Sequence, residues 1–167
     1  PEGLAGKDVV GVANTGTGKT IAFAVPILNA LLSQRTARAL ILAPTRDLAA
    51  QIEEECKMLA KGSGLYGALL IGGASMGAQL KSLRERPSIV IGTPGRIKDH
   101  IERGSLKLSD FTHVTLDEVD RMLDMGFVND IRWILSKMPA QRQSFFFTAT
   151  LDATVSTLIR EFSHDPV

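Results

Sequence analysis

A glycine-rich segment near the start of the chain has the residue types of a phosphate-binding loop. It ends in Gly18, Lys19 and Thr20, follows a short apolar segment and leads into a helical pattern. Glycines allow the backbone to wrap tightly, so that several N–H groups converge on phosphate oxygens, and the next helix adds its positive N-terminal dipole. In such a loop the lysine reaches the β- and γ-phosphates and the threonine hydroxyl suits Mg²⁺. The predicted nucleotide-binding residues are Ala13, Asn14, Thr15, Gly16, Thr17, Gly18, Lys19 and Thr20.

A run of carboxylates follows a second apolar segment and supplies the acidic half of such a site. Val114-Thr115-Leu116 leads directly into Asp117, Glu118 and Asp120. Asp117, at the end of the expected strand, is placed to hold Mg²⁺ through water, and Glu118 to orient or deprotonate an attacking water. The predicted catalytic residues are therefore Lys19, Asp117 and Glu118, and the predicted metal ligands are Thr20 and Asp117.

Each of these two segments also has a simpler interpretation. A glycine-rich loop can lack a ligand, and the strict phosphate-loop pattern has Gly where this chain has Ala13. Acidic residues also collect at helix N-termini because they favour the helix dipole. The Gly-Lys-Thr ending, in a strand–loop–helix context and paired with a downstream acidic run, favours the nucleotide site over both alternatives.

Short apolar segments alternate with segments of helical period along the whole chain. The predicted strands are Asp8–Ala13, Arg38–Ala43, Leu65–Ile71, Ser88–Ile91, His113–Leu116 and Ser144–Phe147. The predicted helices are Gly18–Leu32, Arg46–Lys61, Met76–Arg84, Arg96–Arg103, Val119–Met125, Val128–Lys137 and Ala153–Phe162. The strands are nearly continuous in apolar residues, as strands covered on both faces are. The pattern predicts a three-layer α/β fold, a parallel sheet flanked by helices, with ligands beyond the carboxyl ends of the strands.

Length, charge and cysteine usage narrow the possible classes of protein. The 167 residues fit a single domain spanning 1–167, and the hydrophobic share of 44% is ordinary for a globular chain. A formal charge of +1 excludes binding by bulk positive charge, although not a local basic site. The lone cysteine, Cys56, excludes an internal disulfide framework, fits a reduced intracellular setting, cytoplasmic or nuclear, and is expected to be a packed thiol. No apolar run reaches the roughly 18 residues that span a bilayer, so no membrane partner is expected.

The motifs, in their order along the chain, resemble those of the DEAD-box RNA helicases, specifically their N-terminal RecA-like domain in superfamily 2. The acidic run, Asp117-Glu118-Val119-Asp120, continues as Arg121-Met122-Leu123-Asp124-Met125-Gly126-Phe127 and is similar to motif II. Pro44-Thr45-Arg46-Asp47-Leu48-Ala49 resembles motif Ia, Gly72-Gly73 the GG doublet, Thr93-Pro94-Gly95-Arg96 motif Ib and Thr148-Ala149-Thr150 motif III. The resemblance covers essentially the whole chain. It implies a P-loop NTPase of RecA-like fold that uses ATP and Mg²⁺.

The chain departs mildly from the pattern of this family. Asn14 stands where Gln or Glu is usual, and Asp47, which has a shorter reach, where Glu is usual. Val119 replaces the usual Ala and leaves all three carboxylates in place. Thr148 replaces the usual Ser and keeps its hydroxyl.

The resemblance also implies that single-stranded or duplex RNA is gripped by its backbone. Helix N-termini, hydroxyls and arginines that follow strands suit a phosphodiester chain. Simpler roles are a salt bridge for Arg46, a solvated helix position for Arg96 and N-caps for Thr45 and Thr93, and we expect the two threonines both to cap and to bind. The implied RNA-binding residues are Pro44, Thr45, Arg46, Gly72, Gly73, Thr93, Pro94, Gly95 and Arg96.

Motif III is expected to couple the two sites. By resemblance, the hydroxyl of Thr148 or Thr150 would hydrogen-bond Asp120 and so link the nucleotide site to the RNA surface. The alternative is a pair of threonines that merely ends a buried strand.

The resemblance further implies that the family's adenine-reading Q motif lies upstream of Pro1 and that a second RecA-like domain with arginine fingers follows Val167. An arginine finger is worth roughly 10³–10⁵ in rate in related phosphoryl transfer. The chain alone is therefore expected to be a monomer that binds nucleotide weakly with little turnover. The competing classes are another P-loop protein, such as a DNA helicase or translocase, a regulatory domain without turnover, and a small P-loop kinase.

Overall fold

A computed structural model describes residues 1–14 and 18–167 of the chain, and the predicted loop residues Thr15, Gly16 and Thr17 lie outside them. Within the described part, parallel strands form a six-stranded sheet in the order β1-β6-β5-β2-β4-β3. The strands are Val9–Val12 (β1), Arg38–Leu42 (β2), Gly67–Leu70 (β3), Ile89–Gly92 (β4), Phe111–Leu116 (β5) and Gln143–Thr148 (β6).

Helices cover both faces of the sheet. They are Lys19–Ser33 (α1), Arg46–Leu59 (α2), Met76–Arg84 (α3), Pro94–Glu102 (α4), Val119–Asp124 (α5), Val128–Ser136 (α6) and Ala153–Phe162 (α7). The buried residues of α1 and α2 form one core cluster with one face of the sheet, and those of the remaining helices form a second cluster with the other face. This is the predicted three-layer α/β fold.

The central strand β2 shows why its sequence carries no polar alternation. Ala39 and Ile41 point into the cluster with α1 and α2, whereas Leu40 and Leu42 point into the opposite cluster. All four residues are fully buried. A strand with helices on both faces needs apolar residues at every position, which confirms the interpretation of the apolar runs.

The boundaries of some elements differ from the prediction. Helix α4 begins at Pro94, two residues before the predicted Arg96, because the fixed φ of proline suits the first helical turn and its missing N–H is not needed there. Strand β5 begins at Phe111 rather than His113, because buried Phe111 pairs with Arg38 although polar residues follow it.

The strand order decides which loops meet. Strand β6 lies between β1 and β5, so the start of α1, which follows β1, and the acidic run after β5 meet across the end of β6. Strands β2, β4 and β3 are also neighbours, which brings together the segments that follow them. All these loops lie at the carboxyl edge of the sheet, where ligands bind in open α/β sheets.

Two further expectations concern the lone cysteine and membrane-spanning helices. Cys56 is buried on α2, and burial raises the pKa of its thiol to about 12, so the expectation of a packed thiol is confirmed. No helix in residues 1–14 and 18–167 is long and apolar enough to cross a membrane.

Candidate functional site

A buried ion pair joins the first residue of α1 to the loop after β5. Gly18 adopts a left-handed conformation with φ 79°, and α1 begins at the next residue. The Nζ atom of Lys19 lies 3.4 Å from Oδ1 of Asp117, and the two side chains are only 9% and 4% exposed. The same Asp117 oxygen accepts a hydrogen bond of 2.9 Å from the backbone N–H of Glu118. The structure thus brings together all three predicted catalytic residues, Lys19, Asp117 and Glu118, which line one cavity.

The electrostatics of Asp117 favour a second cation. Burial raises the pKa of its carboxyl above the usual value, while the charge and hydrogen bond of Lys19 oppose that rise. The net effect on the pKa is still upward, so one lysine does not fully compensate the desolvation of the carboxylate. A divalent cation near Asp117 would add the missing positive charge.

The donor set around Asp117 fits Mg²⁺ held partly by water. Thr20 and Asp117, the predicted metal ligands, line one cavity of about 200 Å³ with Lys19 and Glu118. Within residues 1–14 and 18–167, no group of three or more His, Cys, Asp or Glu side chains is arranged to hold a metal. Mg²⁺ usually keeps several waters and takes one or two carboxylates plus substrate phosphates, so the arrangement suits this ion rather than one that needs a full protein cage.

Glu118 has a strained backbone at the start of α5. Its φ of 52° and ψ of 56° place it in the left-handed region, which costs a non-glycine residue about 1–2 kcal/mol. Its carboxylate accepts a hydrogen bond of 3.3 Å from Arg121. Both side chains line a second cavity, of about 220 Å³, together with Ala13, Lys19, Asp120 and Ala149. Strain of this kind concentrates where a side chain must be aimed into a site.

A chain of hydrogen bonds connects the end of β6 to α5. The hydroxyl of Thr150 donates to Oδ2 of Asp120 at 3.2 Å. The hydroxyl of Thr148 donates instead to the backbone carbonyl of Thr150 at 2.8 Å. Of the two threonines proposed to contact Asp120, Thr150 therefore makes the contact and Thr148 holds the turn that presents it.

A separate open concavity of about 420 Å³ lies among the segments that follow β2, β3 and β4. Five of the predicted RNA-binding residues line it, and Gly73, Pro94, Gly95 and Arg96 do not. Its lining is Pro44, Thr45, Arg46, Asp47, Gly72, Thr93, Met125 and Phe127. The sheet order therefore gathers motifs that are dispersed along the chain into one surface.

Arg46 is exposed at the first position of α2. Its guanidinium donates to the carbonyl of Gly72 at 3.4 Å, so within the described residues its hydrogen-bond partner is a carbonyl rather than a carboxylate. The neighbouring Gly73 has φ 79°, and a Cβ added there would overlap the same guanidinium. The salt-bridge interpretation of Arg46 is not supported, and its charge faces the concavity.

Arg96 does not line the concavity and lies in a polar network between α3 and α4. Its guanidinium donates to Oε1 of Gln79 at 3.2 Å, and the side chain is 18% exposed, so a solvated helix position is the wrong description. Gln79 is also within 2.9 Å of the buried ring of His100 and donates to the carbonyl of Ile71 at 2.8 Å. Burial and the nearby Arg96 charge lower the pKa of His100. The predicted contact of Arg96 with RNA stays a prediction.

The two threonines that precede helices behave differently. The hydroxyl of Thr45 accepts a hydrogen bond from the backbone N–H of Leu48 at 3.2 Å and so caps α2. Thr93 occupies the N-cap position of α4, but its side chain makes no capping hydrogen bond. The expectation that both side chains cap their helices is therefore correct for Thr45 and wrong for Thr93.

Met125 and Phe127 also line the concavity, although neither is among the predicted RNA-binding residues. They flank Gly126, whose φ of 84° turns the chain after α5 toward the concavity. Met125 is 48% exposed, so its side chain is accessible from the concavity. The signal in the sequence was an apolar residue on each side of a glycine just after the acidic run.

Comparison with known proteins gives a consistent family assignment. The family model described as DEAD/DEAH box helicase matches residues 1–158. The chain is 44% identical, over 99% of its length, to the ATP-dependent RNA helicase CshA of Listeria monocytogenes. It covers 32% of that relative, so it spans about a third of the length of this curated protein.

Solved structures show the same fold at similar identity. A DEAD box protein from the hyperthermophile Methanococcus jannaschii matches with a TM-score of 0.94 and 37% identity, over 100% of this chain and 46% of that one. A hypothetical ATP-dependent RNA helicase from Sulfolobus tokodaii matches with a TM-score of 0.91 and 34% identity, over 98% of this chain and 48% of the other. With the ordered motifs on one edge of a RecA-like sheet, the chain belongs to the DEAD/DEAH box helicase family.

Proposed function

We propose that this chain is the ATP-binding domain, the first of two RecA-like domains, of an ATP-dependent RNA helicase that couples ATP hydrolysis to RNA binding and local duplex unwinding. The observation that carries the proposal is the placement of the buried Lys19–Asp117 pair and the concavity around Arg46 on the same edge of one sheet. An enzyme that uses ATP to act on a polymer needs a nucleotide site and a polymer-binding surface that are connected through the same domain.

In this proposal four residues of the nucleotide site have separate roles. Lys19 binds the β- and γ-phosphates, and the hydroxyl of Thr20 is a ligand for Mg²⁺. Asp117 holds the metal through water, and Glu118 orients the attacking water and accepts its proton. When bound, Mg²⁺ supplies positive charge to the phosphate oxygens as negative charge develops on them. The strained backbone of Glu118 supports this role, because it fixes the carboxylate over the cavity it shares with Lys19.

The concavity suits the backbone of RNA rather than its bases. Thr45 and Thr93, the N-cap residues of α2 and α4, line the concavity, so the N-termini of both helices lie at its surface. Arg46 adds a positive charge there. Helix N-termini and arginines bind phosphates, and such contacts position a nucleic acid without reading its sequence. A net charge of +1 is compatible with a grip made of a few local contacts.

Thr150 and Asp120 are proposed to couple the two sites. Asp120 lines the cavity beside Glu118, and its hydrogen bond to Thr150 ties α5 to the end of β6. Helix α5 then leads into Met125 and Phe127, which line the RNA concavity. If RNA displaced this helix, the carboxylates of Glu118 and Asp120 in the nucleotide site would therefore move with it.

Because the chain spans about a third of its curated relative, unwinding belongs to a longer protein in this proposal. A second RecA-like domain would complete the site around the phosphates. Domain closure of this kind assembles catalytic groups that one domain lacks. We propose that the protein is intracellular. The 167-residue chain alone is proposed to be a monomer that binds nucleotide weakly and hydrolyses it slowly.

RNA-stimulated ATPase activity of the full gene product tests the proposal. Lys19→Ala and Glu118→Gln should each abolish turnover, with Glu118→Gln keeping nucleotide binding because the phosphate contacts of Lys19 remain. Retained turnover in either variant would refute the assigned roles. Stimulation by DNA but not by RNA would favour a DNA translocase, the competing class, over an RNA helicase.

A further inference from the structure

One side of α2 forms a wall of the nucleotide site. Leu48, Gln51 and Glu55 are separated by three and four residues, so they share one face of this helix. That face lines the 200 Å³ cavity that also contains the two predicted metal ligands, Thr20 and Asp117. Helix α2 therefore contributes polar side chains to the cavity from a segment between motif Ia and β3.

The polar groups on this wall are already held together. Nε2 of Gln51 donates a hydrogen bond of 3.3 Å to Oε1 of Glu55. The two preceding carboxylates, Glu53 and Glu54, pair instead with Lys57, at 3.2 and 3.5 Å. Of this acidic run, Glu55 is the residue that lines the cavity shared with Thr20 and Asp117.

A position in the wall, rather than next to the metal, matches the way Mg²⁺ is bound. Within the described ranges no three acidic or imidazole side chains are grouped closely enough to hold an ion directly. Most of the coordination shell must then be water and phosphate, and those waters need acceptors. Groups that accept from metal-bound water tune metal affinity strongly, and their loss typically costs about 10–100-fold.

We propose that Gln51 and Glu55 form an outer shell for the divalent cation, accepting hydrogen bonds from its water ligands through the amide and carboxylate oxygens. Gln51 positions the Glu55 carboxylate through their mutual hydrogen bond. This inference rests on the proposed nucleotide function and extends it to two positioning residues. In this proposal their partners are the water ligands of the metal and not the phosphates or the attacking water, so their role is in metal affinity and not in the chemical step.

The test measures nucleotide binding rather than turnover. Fluorescent ADP is titrated against the 167-residue chain, once in saturating Mg²⁺ and once in EDTA. The ratio of the dissociation constant in EDTA to the dissociation constant in Mg²⁺ is then compared between variants. Glu55→Gln removes the charge but keeps the size and the acceptor for Gln51, and Gln51→Ala removes its partner. Glu54→Gln is the matched control, because it removes the same charge from an exposed position on the same helix. Thermal denaturation verifies that each variant is folded.

Glu55→Gln should lower the Mg²⁺-dependent ratio roughly tenfold, the smaller end of the usual outer-shell effect, without weakening binding in EDTA. Gln51→Ala should lower it less, and Glu54→Gln should match the wild type. A wild-type ratio in Glu55→Gln, or an equal fall in Glu54→Gln, would overturn the inference. ADP binding by the wild type that is independent of Mg²⁺ would overturn the inference and leave the nucleotide site standing. A wild-type chain that binds no ADP would refute the proposed function itself.

Discussion

Replacing Lys19 with methionine removes the cation that pairs with the buried Asp117 carboxylate while keeping a side chain of similar length and shape. Both side chains are less than a tenth exposed, so water in the adjoining cavity replaces the lost partner only in part. Removing one member of a buried pair costs about 3–5 kcal/mol of unfolding free energy. Asp117 retains the hydrogen bond from the N–H of Glu118 and can take up a proton, which places the expected loss near the lower end, at about 3 kcal/mol.

The loss should depend on pH in a defined direction. Burial already raises the pKa of Asp117 in the folded state, and removal of the Lys19 charge raises it further. A carboxyl with a raised folded pKa binds its proton more tightly in the folded state than in the unfolded state. Its folded form is therefore favoured at low pH and loses stability as pH rises from the unfolded value of 3.8 through the folded pKa. The destabilisation by Lys19→Met should shrink on acidification.

Thermal and urea denaturation of the chain between acidic and neutral pH measures this effect. For a domain of this size about 3 kcal/mol corresponds to a fall in Tm of roughly 6–12 °C. Asp117→Asn in the Lys19→Met background is the decisive control, because it removes the unpaired charge and should restore most of the lost stability. A Lys19→Met variant as stable as the wild type at neutral pH, or a double variant that is no more stable than Lys19→Met, would refute the reasoning.

Three other substitutions test separate parts of the structure. Arg46→Ala should weaken RNA binding uniformly across sequences and reduce the slope of affinity against salt by about 1, as expected for one phosphate contact, with ADP affinity unchanged; a sequence-dependent loss, measured by fluorescence anisotropy at several salt concentrations, would argue for base contacts. Thr150→Val should leave the basal ATPase of the full gene product within a few-fold and reduce its stimulation by RNA, and undiminished stimulation would rule out the coupling role of the Thr150–Asp120 bond. Gly92→Ala should lower the free energy of unfolding by about 2 kcal/mol or more, because the added Cβ would overlap the carbonyl oxygen of Leu70 on the neighbouring strand, and a wild-type urea midpoint would contradict that packing.

The order of strands and helices could be predicted because burial leaves a strong periodic signal. Strand β2 is apolar at successive positions since helices cover both of its faces, and α2 is amphipathic since one face packs on the sheet. The first residues of α4 and β5 could not be predicted in this way. Proline at the start of α4 reads as a break, although it is compatible with the first turn, and the polar residues Thr112 and His113 hide the beginning of β5.

The candidate site could be predicted in composition but not in arrangement. The chemistry of phosphate and metal binding predicts that Lys19 and Asp117 belong to one site. No periodic pattern in the sequence shows that β6 lies between β1 and β5, so the arrangement of that site could not be predicted. The network of Arg96 with Gln79 and His100 depends on how α3 packs against α4, because Gln79 lies on the preceding helix and accepts from Arg96 across that packing. The spacing of Arg96 and His100 on α4 alone does not indicate it. The role of Met125 and Phe127 in the concavity depends likewise on a turn at Gly126.

The charges around the candidate nucleotide site lead to a requirement for a divalent cation. Its two cavities are lined by two cations, Lys19 and Arg121, and by four carboxylates, Glu55, Asp117, Glu118 and Asp120, which leaves a formal charge of −2. The loop residues outside the described part, Thr15 to Thr17, carry no charge. A nucleotide phosphate chain is itself highly anionic, so it would meet net repulsion in a partly buried site where screening by water is weak. Mg²⁺ relieves that repulsion on both sides at once, which is why affinity for ADP should depend on the cation more steeply than a single contact to Thr20 would suggest.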